Sequence, residues 1–302
     1  MVLLAEEIKK LKQEKDAVIL SHYYVDSDVK QIADRIGDSY YLAEEATKVP
    51  NRTIVLCGVT FMGESVKLLN PEKTVLLADR TAACPMAAMY SIEEIKNIRR
   101  QYDDVAVVCY INSTAELKSY SDVTVTSANA LQIVRSLPNK NIYFVPDENL
   151  GKYVASQVPE KNFLFYKGFC HVHAAITASE VTKLKQEHPA AQVLVHPECR
   201  QEVISLADYV GSTSGMLRQA ASSGAEKFIV CTEGGILYDL QNRNPEKKFY
   251  FPGYPLCYSM KKITLEGVRD ALLTGNNEVT VDGMYAENAR ASLRKMLELS
   301  RS

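Results

Sequence analysis

The chain has 302 residues, 46% hydrophobic and 24% charged, enough for one large core or several small ones. Lys and Arg number 35 against 37 Asp and Glu, a formal charge of −2, and no basic run or basic-aromatic interleaving offers a nucleic-acid groove. No window approaches the ~20 apolar residues of a membrane span and no signal-type stretch precedes the first helix, so a cytoplasmic protein is expected.

A helix of 3.6-residue apolar period opens the chain at residues 4–12, with Ile8 and Leu11 on one face. Strand-like apolar runs follow at 18–20, 53–56 and 75–77. The succession then recurs: a helix carrying Ile95 and Ile98, with runs at 105–108, 142–145 and 163–165, and a helix carrying Val181 and Leu184, with runs at 193–195 and 228–230. Ser91-x-x-Glu94 and Thr177-x-x-Glu180 read as capping boxes at the starts of these two helices. A last helix, about 286–299, puts Ala289, Leu293, Met296 and Leu297 on one face and is expected to pack on the outside.

The recurrence is a repeat of about 87 residues. His22, Tyr110 and His196 are separated by 88 and then 86 residues, and the same two offsets relate Tyr24, Asn112 and Glu198, then Asp34, Asp122 and Asp208, then Ser39, Ser127 and Thr213. Pro-Glu-Lys tripeptides beginning at Pro71, Pro159 and Pro245 keep that register. Near-continuous apolar strands alternating with helices imply parallel sheets covered on both faces. The expected fold class is α/β: three pseudo-threefold-related, three-layer αβα sandwich units with parallel sheets around a central active site. The units span 1–88, 89–175 and 176–262, followed by C-terminal helices over 263–302 whose tail is expected to pack with the first unit.

In parallel sheets ligands bind beyond the carboxyl ends of the strands, where the repeated polar positions fall. Ser39, Ser127 and Thr213 precede helices, whose free N–H groups favour anions. Seven cysteines include no CxxC pair and are core residues, metal ligands or catalytic thiols. Cys84, Cys170 and Cys257, spaced by 86 and 87, end their units equivalently. Three such thiols suit a metal centre: a 4Fe-4S cluster with one iron left open, or a zinc held by three thiolates. Cys57 and Cys231 end inner strands where unit two has Val145, and they read as core, as does Cys109; Cys199 stays open. His171 and His173 form an HxH pair, weak evidence for zinc, and His188 before Pro189 is expected in solvent. Gly211 to Gly215 lacks the Lys-Ser/Thr of a phosphate loop. Two rivals stand beside the iron-sulfur reading, a zinc-dependent hydro-lyase or deaminase using the same cysteines and a non-catalytic small-ligand-binding protein.

His22-Tyr-Tyr24, Gly37-Asp-Ser39, Cys84-Pro-Met86, Tyr110-Ile-Asn-Ser-Thr-Ala115, Thr126-Ser-Ala-Asn129, Cys170-His-Val-His173, His196-Pro-Glu-Cys199, Gly211-Ser-Thr213 and Cys257-Tyr-Ser-Met260 resemble, in order and spacing, the quinolinate synthase family over essentially the whole chain. The resemblance implies an enzyme of NAD biosynthesis in which iminoaspartate condenses with dihydroxyacetone phosphate, losing phosphate and two waters. It implies a 4Fe-4S cluster on Cys84, Cys170 and Cys257, and an L-aspartate oxidase as a functional partner. By the same resemblance His22, Ser39, Tyr110, Asn112, Ser127, His173, His196, Glu198, Ser212 and Thr213 contact substrate. Glu198, Tyr24, His196 and Tyr110 then serve catalysis, with Glu198 or Tyr24 as base. Some relatives carry a CxxCxxC stretch at the third ligand; only Cys257 stands here, which leaves no CxxC redox switch.

Overall fold

The computed structural model describes residues 2–301. Among them twelve strands form three separate four-stranded parallel sheets. The first holds β1 (Ala17–His22), β2 (Arg35–Gly37), β3 (Thr53–Cys57) and β4 (Thr74–Leu77) in the order β2-β1-β3-β4. β5 (Val105–Tyr110), β6 (Val123–Val125), β7 (Asn141–Val145) and β8 (Asn162–Phe165) repeat it as β6-β5-β7-β8. β9 (Gln192–Val195), β10 (Tyr209–Val210), β11 (Lys227–Cys231) and β12 (Lys248–Tyr250) repeat it as β10-β9-β11-β12.

The repeat read from the sequence also holds in strand register. Leu20 lies opposite Arg35, Val108 opposite Val123 and Leu194 opposite Tyr209. Thr53 lies opposite Thr74, Asn141 opposite Asn162 and Lys227 opposite Lys248. β1 and β5 are buried along their whole length because helices cover both faces of each sheet. Alternate residues therefore enter different cores: Val105, Val107 and Cys109 join one apolar cluster, while Ala106, Val108 and Tyr110 join another. β2, β6 and β10, of two or three residues, and the half-exposed β12 are the strands that apolar runs did not reveal.

Two of the repeated polar positions are structural. Asp34, Asp122 and Asp208 each accept the N–H of the central strand, from Ile19 (2.8 Å), Val107 (2.7 Å) and Val193 (2.7 Å). The lysine of each Pro-Glu-Lys donates to carbonyls at or just past a helix end: Lys73 to Val49, Lys161 to Leu137 and Asn139, and Lys247 to Ala220 and Ser223. Those carbonyls lie where a helix leaves acceptors without partners. Lys161→Met is therefore expected to cost about 1–3 kcal/mol, read as a lower urea midpoint at unchanged m-value.

Thr177 and Glu180 form the full reciprocal capping box. At the other expected box only half is present: Ser91 accepts from Glu94 N–H, but the Glu94 carboxylate accepts from Tyr143 OH at 2.6 Å. His188, expected in solvent, is half-buried and stacks on the Tyr250 ring. The helix Leu265–Thr274 packs on β3, β4 and the helix Val2–Glu14, and closes at Gly275, whose φ of +67° suits glycine. The last helix, Gly283–Leu299, lies across β6 and the helices Ala115–Ser119 and Thr60–Leu69, burying Ala289, Leu293, Met296 and Leu297. Its buried Ser292 pairs with Thr124 at 2.8 Å. No helix among the described residues is long and apolar enough to cross a membrane.

Candidate active site

The carboxyl ends of β1, β5 and β9 deliver His22, Tyr110 and His196 to one cavity. The loops that follow add Tyr24, Asn112 and Glu198 to its lining, and Ser39, Ser127, Thr213 and His173 complete the sequence-expected set there. Ser212 is the exception: it does not line the cavity, because its hydroxyl caps the helix Thr213–Ser222 by accepting from Gly215 N–H at 3.2 Å. A hydroxyl ahead of a helix serves equally as cap or as ligand donor, so the sequence alone could not separate the two.

A hydrogen-bonded chain crosses the cavity between repeats. Tyr24 OH lies 2.8 Å from both Thr213 Oγ1 and Thr232 Oγ1, and Thr232 Oγ1 lies 2.9 Å from His173 Nε2. His173 Nδ1 meets Glu198 Oε2 at 2.9 Å, His196 Nδ1 meets the same oxygen at 3.2 Å, and His196 Nε2 reaches Ser127 Oγ at 3.2 Å. Glu198 Oε1 is buried without a protein partner, as are Asn112 Oδ1 and Asp38 Oδ2, the only such side-chain atoms among the described residues. All three line the cavity, so acceptors stand ready there for a donor that is not part of the fold.

Burial would raise the Glu198 carboxyl, but the two imidazoles beside it, His173 foremost, outweigh burial and hold it low, hence anionic. Tyr24 and Tyr110 are pushed well above the usual phenol range by burial and stay protonated. Burial pushes His22 down to about 4, with the Asp38 carboxylate opposing, and its Nδ1 accepts Tyr24 N–H at 3.1 Å, an arrangement that requires the neutral ring. An unfolded His22 titrates near 6.5, so above that pH the contribution of His22 to stability is complete. As pH falls from 6.5 to about 4 the unfolded chain takes up a proton that the folded chain refuses, and stability is lost. The buried acids Asp147 and Glu233 shift upward and act oppositely. The expected result is therefore a difference: wild type loses stability relative to His22→Gln across this window in urea titrations of the ligand-free chain.

The thiols sort as expected from the repeat. Cys57, Cys109, Cys199 and Cys231 are wholly buried, with Cys199, open in the sequence, joining the Cys231 cluster; Cys84, Cys170 and Cys257 are half-buried and line the cavity. Each of the latter heads a helical turn: Cys84 O accepts from Ala87 N–H, Cys170 O from Ala174 N–H and Cys257 O from Lys261 N–H. Burial raises all three thiols, Cys84 to about 12, and N–H groups of the turns oppose it, those of Ala87 and Met86 at Cys84, His173 at Cys170 and Met260 and Ser259 at Cys257. Neutral as free thiols, they are arranged to become thiolates once a cation is bound. Cys170 Sγ, a His173 ring nitrogen and a Glu198 oxygen also lie within 4.8 Å of one another, close enough to share a metal ion.

The family described as quinolinate synthetase A protein matches residues 6–298. The chain belongs to this family. Quinolinate synthase of Fusobacterium nucleatum is 52% identical over 297 residues, covering 98% of this chain and 99% of that protein. That of Clostridioides difficile is 48% identical over 298 residues, 98% of each. That of Aquifex aeolicus is 46% identical over 303 residues, 98% of this chain and 94% of that protein. In this member of the quinolinate synthetase A family, sequence reasoning missed four polar residues of the site and its walls. These are Asp38, Thr232, Glu233 and Asp147. Asp147 and Glu233 carried a signal: they sit 86 residues apart in the repeat register, two positions beyond the inner strands β7 and β11.

Proposed function

We propose that the protein is a quinolinate synthase, condensing iminoaspartate with dihydroxyacetone phosphate to quinolinate and releasing phosphate and two waters. The observation that carries this reading is three repeat-related thiols lining the same cavity as an anionic Glu198 with one open oxygen, in a chain of this family. Cys84, Cys170 and Cys257 fit a 4Fe-4S cluster by number, by equivalence in the repeat and by lining one cavity. When bound there, such a cluster supplies one iron without a cysteine ligand, a Lewis acid for a departing hydroxyl.

The remaining chemistry falls to the chain's own groups. Glu198 is the base for a carbon-bound proton; His173 Nδ1, 2.9 Å from its Oε2, and His196 Nδ1, which accepts the Glu198 backbone N–H (3.4 Å), set its orientation. Tyr24 and Tyr110, held protonated, act as donors to oxygens that develop charge, so of the two bases considered for this family Glu198 is the one we assign. His22 carries its proton on Nε2, since Nδ1 accepts from the backbone, and serves as a donor to a substrate carboxylate. Ser39, Ser127 and Thr213 offer hydroxyls to the carboxylates and phosphate, and Asn112 Oδ1 and Glu198 Oε1 receive the imine N–H or hydroxyl donors. An L-aspartate oxidase would supply the iminoaspartate.

Purified without oxygen, the protein is expected to hold about four irons and four sulfides, to absorb in the visible and to form quinolinate from the two substrates. One zinc without sulfide would replace this reading with the zinc hydro-lyase. A metal-free chain that binds small acids without turnover would replace it with a binding protein.

A further inference from the structure

The three cysteine loops share one backbone tie. Thr60 N–H donates to Ala82 O (2.9 Å), Glu148 N–H to Gly168 O (2.8 Å) and Gly234 N–H to Pro255 O (2.8 Å), in each case two residues before the cysteine. The approach is close: a Cβ on Gly168 would meet Pro146 O at 2.5 Å. The residues just before these three donors are Val59, Asp147 and Glu233. Asp147 accepts Leu150 N–H on Oδ1 (2.7 Å) and Cys170 N–H on Oδ2 (3.2 Å). Glu233 accepts Gly235 N–H on Oε2 (2.6 Å) and Cys257 N–H on Oε1 (3.2 Å), with Lys261 Nζ 3.3 Å from Oε1. Both acids are 0% exposed. Each therefore bridges the start of a helical segment and the backbone of its cysteine, where Val59 can accept nothing.

We propose that Asp147 and Glu233 are positioning residues for Cys170 and Cys257, and that Cys84, which has no such clamp, is the cluster ligand released first. This rests on the cluster assignment above. In unit one Asp79 Oδ1 accepts Thr81 N–H (2.6 Å), three residues short of Cys84, and from outside Ser259 Oγ donates to Ala83 O and Lys262 Nζ to Thr81 O, all exposed contacts on which water competes and none of them to the Cys84 N–H. A carboxyl group that accepts N–H donors on both oxygens cannot be imitated by its amide, because the amide NH2 must face one of those donors. Partners standing behind metal ligands commonly contribute 10- to 100-fold in metal affinity.

The test follows ligand release thiol by thiol in the holoprotein. The cluster is removed slowly by a chelator under iodoacetamide, and the three cysteine peptides are quantified by mass spectrometry. Each rate is divided by that of the same cysteine in the cluster-free chain, which cancels differences in exposure. In wild type Cys84 is expected to label first. Asp147→Asn should bring Cys170 forward and leave Cys257 in place, Glu233→Gln should do the reverse, and each should lose iron about tenfold faster. Simultaneous labelling, Cys84 last, or one variant advancing both distant cysteines equally overturns the inference while the cluster stands. If the variants fail to fold, the wild-type order decides alone. A wild-type chain that takes up no cluster at all overturns the cofactor reading, and this inference with it.

Discussion

Cys84→Ser, Cys170→Ser and Cys257→Ser are each expected to strip the protein of nearly all its iron and sulfide and to abolish quinolinate formation. A serine hydroxyl is a hard oxygen that stays protonated near neutral pH, whereas an iron-sulfur site selects the soft thiolate. The three positions are equivalent in the repeat and line one cavity, so no one of them should be dispensable. The contrast is supplied by the other four cysteines. Cys57, Cys109, Cys199 and Cys231 are wholly buried in apolar clusters, and replacing any of them by alanine should lower the melting temperature but leave about four irons per chain. Iron and sulfide analysis of the seven variants after anaerobic purification checks both halves. A wholly buried cysteine needed for iron, or a cavity cysteine not needed, breaks the assignment.

The repeat was legible because it constrains residues at fixed offsets, and a fixed offset becomes a fixed register once strands pair in parallel. The three cavity thiols followed from the same regularity, and so did the assignment of Cys57 and Cys231 to the core, from Val145 in the equivalent place. What escaped was cooperation between units. Thr232 belongs to the site only because Tyr24, 208 residues earlier, and His173, 59 residues earlier, reach it across unit boundaries. Nothing local in Cys231-Thr232-Glu233 signals that meeting. Short edge strands escaped for a different reason: Tyr209–Val210 has two residues, too few to display a period, and acquires strand geometry from its neighbour β9. Ser212 shows why helix starts are ambiguous in a sequence: they attract hydroxyls for capping, as its bond from Gly215 N–H does, as readily as for ligand binding.

Glu198→Gln is expected to lower kcat by about 10²–10⁴-fold with iron and sulfide unchanged. The substitution preserves shape and burial but removes the charge that could accept a proton. It also disturbs the chain of bonds in a defined way. Glu198 Oε2 faces His173 Nδ1 at 2.9 Å, so the amide must either keep its carbonyl toward His173, turning an NH2 into the cavity where Oε1 stood open, or present NH2 to that ring. The first orientation substitutes a donor for the acceptor that substrate donors would use; the second sets donor against donor. Either removes the proposed base, whereas a residue that merely filled space would tolerate the change. Because His173 acts through Glu198, His173→Gln combined with Glu198→Gln should cost little more than Glu198→Gln alone, and steady-state rates of the two single variants and the double variant test this. Full additivity would mean that His173 works on substrate independently. An unimpaired Glu198→Gln would move the base elsewhere in the cavity, and Asp38, a buried acid lining it with an open Oδ2, would take the role, since Glu233 is already committed to backbone N–H groups on both of its oxygens.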